Sequence, residues 1–565
     1  MIEMLVELIG KIEPEEIDAA IALSLGKFGS DFDQKVLGIK DRFVLSALSK
    51  LNGIPESEIK QLYSSIGDVG DLAAQLSQQS GVQTRVDDFF SDSPVKKELT
   101  INLVYNNILR LSEPNLSNQA KVEIIGNVNS ELSSIEKKFF YRNLVAKLRL
   151  GVKESTWINA LAESTGVEKE RFERAYFLNS DLSLVSANAM SGGSNAVDNL
   201  CRIRVGTPIH SMLAQRITSG DQIRKWIEGS FAVETKYDGY RIQIHGDANR
   251  NISLWSRGLE SYTDQFPDVV EGVKLAINGP IVADGEVVAY DPKSKKILNF
   301  SMLTQRSRKY DIDKIMKKVK VRVYLFDLLH YDGVDYINQP FPERRKVLES
   351  CITTNEIVVL SEASICDDED EIDQRLFLAK ELNQEGIMIK DISATSFYEP
   401  GKRSFNWFKY KADYTTDLSE TFDLVILGAS MGKGKRAGTY GTLLMGSYDP
   451  LTEKYYSFCK MGSGLSDKDL EVMKPELDTI RVPDRPSDYI CDIEPDIWVA
   501  PKIILEVSAA EISNSPVHTV EDPEGNRLAL RFPRFIGRRD DKTVPDGITT
   551  VEEIASISKT LRIGS

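Results

Sequence analysis

The chain contains 565 residues, which at about 150 residues per domain suggests three or four folded domains. Asp and Glu number 85 against 70 for Lys and Arg, a formal charge of −15 at pH 7, and an acidic total by itself argues against a nucleic-acid partner. Hydrophobic residues make up 41% of the chain and charged residues 27%, which is typical of globular proteins. No apolar run approaches the ~20 residues of a membrane span, and no basic segment of a secretory signal precedes the first apolar residues.

The cysteines and histidines argue against several further classes of protein. The five cysteines include no C-x-x-C pair, which argues against a structural zinc site and a disulfide framework. The four histidines show no metal-ligand spacing, which argues against a histidine-based metalloenzyme. The cysteine usage favours a reducing compartment, and we expect a cytoplasmic protein.

The first part of the chain has helical periodicity. Apolar residues recur at three- and four-residue spacing in Asp41–Lys50 and Lys137–Arg149, and loops rich in Gly, Ser and Asn separate such stretches. The Gly- and Ser-rich segment Ser191–Asn195 indicates a boundary nearby. We therefore predict an all-α domain over residues 1–204.

After about residue 205 the apolar period changes to two. Alternation with interspersed helical segments predicts an α+β domain with antiparallel hairpins over 205–413. Short strands joined by Gly-rich turns then predict a small β-barrel over 414–565, ending in a helix at Val551–Arg562. The predicted strands are Phe231–Thr235, Arg241–His245, Ile281–Tyr290, Val321–Phe326, Gly386–Lys390, Phe422–Gly428, Gly441–Tyr448 and Lys454–Lys460.

The densest chemical signal is Glu234-Thr-Lys236-Tyr-Asp-Gly239-Tyr-Arg241. Alternation along a strand puts Glu234 and Lys236 on one face. An Asp-Gly turn, with Gly239 free to take positive φ, would return Arg241 on the next strand. The segment therefore predicts an amine, a carboxylate and a guanidinium at the mouth of one hairpin. The alternative is a solvated Asp-Gly hairpin.

A nucleophilic lysine has to be neutral. A free lysine with a pKa of ~10.4 is deprotonated about once in 2,500 at pH 7, which corresponds to ~4.6 kcal/mol. Nearby cations lower that cost. Lys409 and Lys411 fall on one face of a predicted strand, and Lys402-Arg403 precedes them. These cations suit a site that holds a triphosphate, or else they form a solvated strand edge.

Acidic residues lie in or beside apolar strands. Asp284 and Glu286 interrupt the strand Ile281–Tyr290, and Glu385 begins another. A carboxylate in such a place is costly unless it is paired or bound to a metal, so each belongs either to a buried salt bridge or to a Mg²⁺ site. Phe326 precedes Asp327 at the end of a third strand, as a core residue or as a platform on which a base stacks.

Two basic segments lie in the last third of the chain. Arginines and a lysine concentrate between Arg531 and Lys542, with Pro and Gly at the turns, which suggests a phosphate-facing cluster or a solvated basic loop. Residues 432–436 form a second basic turn that lacks the G-x-x-x-x-G-K-[ST] spacing, so we reject a P-loop.

Taken together and in this order, these segments resemble the covalent nucleotidyltransferases, and specifically the ATP-dependent DNA ligases of the archaeal and eukaryotic replicative type. Gly258 is the visible departure, because many relatives have a basic or polar residue there. The segments that carry the resemblance are Lys236-Tyr-Asp-Gly-Tyr-Arg241, Ser256-Arg257-Gly-Leu-Glu260, Asp284-Gly-Glu286, Phe326-Asp327-Leu, Glu385-Gly-Ile-Met-Ile-Lys390, Trp407-Phe-Lys409-Tyr-Lys411 and Arg539-Asp-Asp541-Lys542.

The resemblance implies a function for each domain. Residues 1–204 would bind DNA, 205–413 would be the adenylation domain, and 414–565 would be an OB-fold. The enzyme would use ATP and Mg²⁺ to seal 5′-phosphate/3′-hydroxyl nicks in double-stranded DNA through a lysyl-AMP and a DNA-adenylate, in replication, repair and recombination. We expect a monomer that is associated with the nucleoid, and the compact N-terminal part looks more archaeal than eukaryotic.

The resemblance also implies roles for single residues. Lys236 would be the nucleophile, Glu234 would recognise adenine, and Phe326 would stack on it. Glu286 and Glu385 would serve the sugar or the metal ion. The residues that would bind ribose or phosphate are Arg241, Arg257, Arg403, Lys409 and Lys411, with Glu286 in the nucleotide site as well. Those that would orient the leaving pyrophosphate are Arg539, Asp541 and Lys542.

Residues 83–90 match the pattern by which replication enzymes dock on the sliding clamp. The pattern residues are Gln83, Val86, Phe89 and Phe90, with Val86 in place of the commoner Ile, Leu or Met. Adjacent phenylalanines in a polar segment suit interface anchors if they are exposed, and core residues if they are not. We expect clamp binding.

Other classes remain as alternatives. Capping guanylyltransferases and RNA ligases use similar lysine chemistry, but the large helical domain argues against the first and the complete C-terminal motif set against the second. An NAD-dependent ligase would carry a four-cysteine zinc site, which the cysteine spacing excludes. A non-enzymatic DNA-clamp scaffold with a dead active site is disfavoured because every motif lysine and carboxylate is present.

Overall fold

A computed structural model of the chain describes residues 1–79, 99–307, 311–368, 370–381, 384–411, 421–432, 436, 438–509 and 511–563. These residues form two compact units. The first contains 1–40, 99–132 and 142–411, and the second contains 41–79, 133–141 and 421–563.

The N-terminal third is helical, as predicted. Helices α1, α2, α9, α10 and α11 pack around a core in the first unit that includes the fully buried Trp157 and Phe172. Helices α3, α4 and α5 belong to the second unit. The helices are α1 Ile2–Ile9, α2 Ile17–Leu25, α3 Asp41–Asn52, α4 Glu56–Ile66, α5 Val69–Gln79, α6 Ile101–Arg110, α7 Asn118–Glu131, α8 Ser134–Leu144, α9 Glu154–Thr165, α10 Lys169–Asn179 and α11 Leu182–Asp198.

Two sequence-based expectations in this region were wrong in detail. The helix predicted over Lys137–Arg149 ends at Leu144, because the chain then turns through positive φ at Ala146 (53°) and Arg149 (55°). The predicted boundary segment Ser191–Asn195 lies inside α11, where Gly193 (φ 57°, ψ −148°) kinks the helix instead of ending it.

Residues 213–411 form two β-sheets with helices around them. The five-stranded sheet has the order β1-β12-β11-β2-β10. The seven-stranded sheet has the order β4-β3-β5-β7-β8, with β6 on β5 and β9 on β7. The elements are β1 Leu213–Arg216, β2 Phe231–Lys236, β3 Tyr240–Gly246, β4 Ile252–Ser256, α12 Pro267–Ala276, β5 Ile281–Asp291, β6 Lys296–Ile297, α13 Phe300–Leu303, α14 Ile312–Lys318, β7 Val321–Tyr331, β8 Val334–Asp335, α15 Phe341–Cys351, β9 Val358–Leu360, β10 Ala363–Cys366, α16 Asp370–Glu381, β11 Gly386–Asp391 and β12 Arg403–Lys411.

The seven-stranded sheet is buried on both faces. On one face, Ile242 and Ile244 of β3 join an apolar core that includes α12 and α15 residues. On the other face, the side chain of Gln243 accepts a 2.7 Å hydrogen bond from the backbone amide of Ile209. The predicted alternation is confirmed, and the polar face is covered by protein as well.

The C-terminal part of the second unit is rich in strands, and its last element is the predicted helix. Strand β14 pairs with β13 and β15, and β19 pairs with β13 and β23. An isolated parallel bridge joins Ser463, two residues after β15, to Arg534 of β23. Their side chains enclose one apolar core. The elements are β13 Phe422–Met431, β14 Tyr440–Asp449, β15 Lys454–Met461, α17 Asp467–Thr479, β16 Arg481–Val482, β17 Tyr489–Ile490, β18 Ile497–Val499, β19 Ile504–Ser508, β20 Glu511–Asn514, β21 Val520–Glu521, β22 Arg527–Arg531, β23 Arg534–Arg538 and α18 Val551–Ile563.

Within the described residues, no helix has the length and apolar character needed to cross a membrane. The five cysteines are all free thiols, so the expectation against a disulfide framework is met by the part of the chain that the structure describes.

Candidate active site

One face of the five-stranded sheet gathers the basic residues that the sequence singled out. Glu234 and Lys236 lie two residues apart on β2, and Lys409 and Lys411 lie two apart on β12. Between these strands runs β11, whose Gly386 pairs in register with both Lys236 and Lys411. Because residues in register share a face, the three lysines and Glu234 lie on the same side of the sheet.

Only glycine fits at position 386, where β11 lies close to the backbone of β12. Its φ is +147°, and a Cβ at this position would lie 2.2 Å from the carbonyl oxygen of Tyr410. The neighbouring Glu385 contacts Lys236 Nζ through Oε2 and Lys411 Nζ through Oε1. Burial raises the pKa of Glu385, but the two ammonium groups outweigh burial and hold that pKa below its usual value.

The seven-stranded sheet contributes a second set of charges. Arg241 of β3 lies in register with Glu286 of β5. Its guanidinium donates 2.7 Å hydrogen bonds to Asp284 Oδ2 and to the carbonyl of Met212, and a 3.2 Å bond to the hydroxyl of Tyr398. Asp284 is fully buried, so it is a member of a buried salt bridge, one of the two alternatives left open by the sequence. Arg241 Nε is buried and has no hydrogen-bond partner.

The expected hairpin between Lys236 and Arg241 was wrong. Strand β2 belongs to the five-stranded sheet and β3 to the seven-stranded sheet, so residues 237–239 cross from one sheet to the other. Gly239 does not have positive φ. It is required for another reason, because a Cβ there would lie 2.2 Å from the carbonyl oxygen of Val287. The crossing places Lys236 and Arg241 on two sheets that face each other.

Glu234 is buried and only half satisfied. Lys390 Nζ lies 2.9 Å from its Oε2, and Ser361 donates a 3.4 Å hydrogen bond to the same oxygen. The other oxygen, Oε1, is buried without a partner. Sequence reasoning did not assign a role to Lys390 or Ser361, although Lys390 ends one of the quoted segments. A buried carboxylate with one open acceptor position is suited to an amino group of a ligand.

Aromatic side chains lie around Lys390, the partner of Glu234. Phe326 on β7 is partly buried and meets Trp407 edge-on, with ring centroids 6.0 Å apart. The guanidinium carbon of Arg241 lies 5.5 Å from each of these two ring centroids, and Lys390 Nζ lies 5.0 Å from that of Phe326. These contacts join the two sheets on the side of Glu234.

Neighbouring cations change the pKa of Lys409. Burial lowers the pKa of Lys409, and the charges of Lys236, Lys411, Arg403 and Arg257 lower it further. Arg403 is exposed and donates a 2.7 Å hydrogen bond to the carbonyl of Ala214. The structure therefore brings the predicted phosphate-binding cations within electrostatic range of one another.

The residues present fit a divalent cation. Burial raises the pKa of Glu286 to about 8, opposed by Lys236 and Arg241 and reinforced by Glu385. A bound cation would hold Glu286 in the ionised form, and Mg²⁺ needs only one or two protein carboxylates beside water and phosphate. The described residues contain no group of three or more His, Cys, Asp or Glu that would hold a metal alone.

In the second unit, the predicted C-terminal residues form one ionic network. Arg539 contacts Asp541 through two hydrogen bonds of 2.8 and 2.9 Å, which lower the pKa of Asp541 to about 2. Arg539 also lies 3.1 Å from Asp423, and Lys542 lies 2.5 Å from the same carboxylate. Asp423 was not identified from the sequence, because an acid within a predicted strand far from this motif carries no signal of the contact.

Comparison with known proteins identifies the family. Three family models match: "DNA ligase N terminus" at residues 1–189, "ATP dependent DNA ligase domain" at 211–411, and "ATP dependent DNA ligase C terminal region" at 436–542. The chain belongs to the ATP-dependent DNA ligases. It is therefore an enzyme that seals nicks in DNA through an adenylate intermediate, the general reaction of this family.

Individual relatives of this ligase agree over almost the whole chain. The DNA ligase of Caldivirga maquilingensis is 36% identical over 566 residues, which cover 98% of this chain and 93% of the relative. That of Pyrobaculum islandicum is 37% identical, covering 99% and 95%. A solved structure described as Pmar-Lig_Pre matches with a TM-score of 0.50 at 18% identity, covering 88% of this chain and 99% of that chain, which shows a shared fold.

The predicted clamp-binding residues of this ligase, Gln83, Val86, Phe89 and Phe90, lie outside the described residues, so clamp binding stays a prediction.

Replacing Gly239 with Ala tests the close approach of the crossing segment 237–239 to strand β5 of the ligase. We expect Gly239→Ala to lower the free energy of unfolding by about 1–3 kcal/mol, because the backbone at Val287 has to move. Gly258→Ala is the matched control, since the atom nearest to its Cβ is Ser256 Oγ at 3.7 Å. Urea unfolding followed by tryptophan fluorescence measures both variants, and equal stability of the two would contradict the assignment.

Proposed function

We propose that Lys236 is the nucleophile that attacks the α-phosphate of ATP. The observation that supports this most directly is the placement of its Nζ on Glu385, among the cations and two residues from the open oxygen of Glu234. Glu385 holds the amine in place among these cations. A phosphoramide bond then forms between Nζ and the α-phosphorus as the bond to pyrophosphate breaks.

Adenine and ribose lie beside this lysine in the proposal. The open Oε1 of Glu234 accepts a hydrogen bond from the adenine amino group, and Phe326 stacks on the base. Arg241 binds the nucleotide through its unpaired Nε, while its terminal nitrogens stay hydrogen-bonded to Asp284 and to the carbonyl of Met212. Arg257, Arg403, Lys409 and Lys411 hold ribose and phosphate oxygens.

Glu286 and Glu385 are the proposed ligands of Mg²⁺. When bound, the ion neutralises charge on phosphate oxygens during the transfer. The raised pKa of Glu286 supports this role, because a cation beside a buried carboxyl favours its ionised form. Glu385 would then exchange an ammonium partner for the metal.

An OB-fold barrel is supported for this region by the pairing of β14 with β13 and β15, by the pairing of β19 with β13 and β23, and by the bridge from Ser463, just after β15, to β23. The helix α17 follows the third strand of that barrel. Arg539, Asp541 and Lys542, which follow its last strand, orient the leaving pyrophosphate. The AMP then passes to the 5′-phosphate of the nick and the 3′-hydroxyl displaces it.

Each domain also has a proposed role. Residues 1–204 form the DNA-binding domain, 205–413 the adenylation domain and 414–565 the OB-fold domain with its C-terminal helix. The ligase works as a monomer at the nucleoid, in replication, repair and recombination. Residues 83–90 dock on the sliding clamp, with Phe89 and Phe90 as anchors.

Covalent labelling tests the nucleophile. Wild type incubated with Mg²⁺ and α-labelled ATP should retain label after denaturation, and Lys236→Ala should retain none, because the amine that forms the covalent bond is removed while Lys409 and Lys411 bind phosphate. Lys236→Arg is the charge-preserving control and should also fail, since a guanidinium stays protonated. Both variants should still seal a nick that already carries AMP. Label that persists in Lys236→Ala, or label from GTP but not from ATP, would contradict the proposal.

The Arg539 network predicts a split between two steps. We expect Arg539→Ala to slow adenylation of Lys236 by roughly tenfold or more, the scale of one charge-assisted contact to phosphate. Sealing of a pre-adenylated nick should change much less. Arg538→Ala is the matched control, because Arg538 pairs with Glu476 and Asp540 instead of with Asp423. Equal loss in both steps for Arg539→Ala would refute the pyrophosphate role.

Clamp docking is tested with the double variant Phe89→Ala/Phe90→Ala. Sealing should match wild type without the clamp, while stimulation by the clamp should be lost, because truncating two anchors typically weakens an interface at least about 30-fold. Phe377→Ala is a control for an exposed phenylalanine elsewhere, since Phe377 is 62% exposed. If the clamp stimulates the double variant as strongly as wild type, residues 83–90 are not the docking site.

A further inference from the structure

Lys390 is an ammonium enclosed between the two sheets. Its side chain is 1% exposed, its Nζ lies 2.9 Å from Glu234 Oε2, and it donates a 3.0 Å hydrogen bond to the carbonyl of Phe326. Three aromatic ring centroids lie within 5.0 Å of Nζ, those of Phe326 (5.0 Å), Trp407 (4.8 Å) and Phe341 (4.5 Å). Lys390 therefore joins the carboxylate on β2 to the strand that carries Phe326.

A buried charge of this kind is weak evidence for stability. Burial lowers the pKa of Lys390, and the carboxylates of Glu234 and Asp327 oppose that shift. Apolar residues of similar volume often replace a buried ion pair without loss of stability. The ammonium therefore has to be explained by what it does to Glu234 and Phe326, rather than by a contribution to folding.

The effect on Glu234 is geometric. Lys390 and Ser361 both engage Oε2, which leaves Oε1 as the one open acceptor of a residue that is 4% exposed. A carboxylate oxygen accepts hydrogen bonds and does not donate them. Oε1 therefore attracts the amino group at position 6 of adenine and repels an oxo group at the same position.

We propose that Lys390 is a positioning residue that sets the purine specificity of the ligase: it engages Oε2 of Glu234, keeps Oε1 open toward the base, and thereby selects 6-amino purines over 6-oxo purines. This inference rests on the proposed contact between Glu234 and adenine. Lys390 acts through Glu234 and does not touch the reacting atoms.

The test compares ATP with inosine triphosphate, whose base carries an oxo group in place of the amino group. The rate of covalent labelling of Lys236 is measured as kcat/KM for each nucleotide in wild type, Lys390→Met, Lys390→Arg and Glu234→Gln. Lys390→Met should lower the value for ATP roughly 10- to 100-fold, the range for losing a hydrogen bond to a charged group. The value for inosine triphosphate should stay equal, because its oxo group does not use the acceptor that Lys390 positions.

Two controls separate positioning from packing. The affinity for a nicked duplex that carries no AMP should be unchanged in Lys390→Met, since that binding involves no adenine at Glu234. Lys390→Arg keeps the positive charge and should keep the preference for ATP. If Lys390→Met lowers labelling from both nucleotides by one common factor and also weakens binding of the nicked duplex, Lys390 is a packing residue and the proposal is overturned.

Glu234→Gln distinguishes failure of this inference from failure of the proposed function. Loss of the preference in Glu234→Gln but not in Lys390→Met would refute the role of Lys390 alone. An unchanged preference in Glu234→Gln would refute the adenine contact itself, and the inference with it.

The double variant Glu234→Gln/Lys390→Met removes both charges together, so it should fold even if Lys390→Met does not. Because both residues act through one contact, its preference for ATP should equal that of Glu234→Gln. A further fall in the double variant would show that Lys390 acts independently of Glu234 and would overturn the proposal.

Discussion

The structure depends on one constraint: charges enclosed between the two sheets of the first unit have to be paired. Glu234 is paired with Lys390, Asp284 with Arg241, and Asp327 with Arg344. Each carboxylate is at most 4% exposed. Removing one partner of such a pair leaves an uncompensated charge, which costs about 3–5 kcal/mol, so the pairs determine which side chains can occupy the neighbouring strands.

The pairs differ in how completely their atoms are satisfied. Arg344 contacts both oxygens of Asp327 and two backbone carbonyls. In contrast, Glu234 Oε1, Arg241 Nε and Asp284 Oδ1 are buried without partners. Native proteins rarely leave such atoms unpaired, and those that are unpaired call for an explanation. The Asp327 pair is explained by folding alone, whereas Glu234 and Arg241 have hydrogen-bonding capacity that a nucleotide would use.

The sequence predicted most strands of the adenylation region, because period-two alternation depends on local burial. It predicted the residues that meet at the site, since their order resembled a known family. It did not predict that β2 and β3 belong to different sheets, because alternation and an Asp-Gly dipeptide are compatible with a hairpin and with a crossing alike. Gly239 illustrates the limit: the sequence suggests positive φ, whereas the constraint is the carbonyl of Val287, a residue distant in sequence.

The sequence also did not predict ionic partners that are distant along the chain. Lys390 and Asp423 carry no local pattern, yet each forms an ion pair with a predicted site residue. The whole-chain charge was equally uninformative, because phosphate affinity depends on local contacts.

At the site, Glu385 forms ion pairs with two lysines, Lys236 and Lys411. In the proposed complex, a triphosphate would bring several negative oxygens to the same place. In the proposed reaction, binding of ATP would be an exchange of partners: phosphate would replace the carboxylate on Lys411, and Lys236 would leave its ion pair to act as the nucleophile.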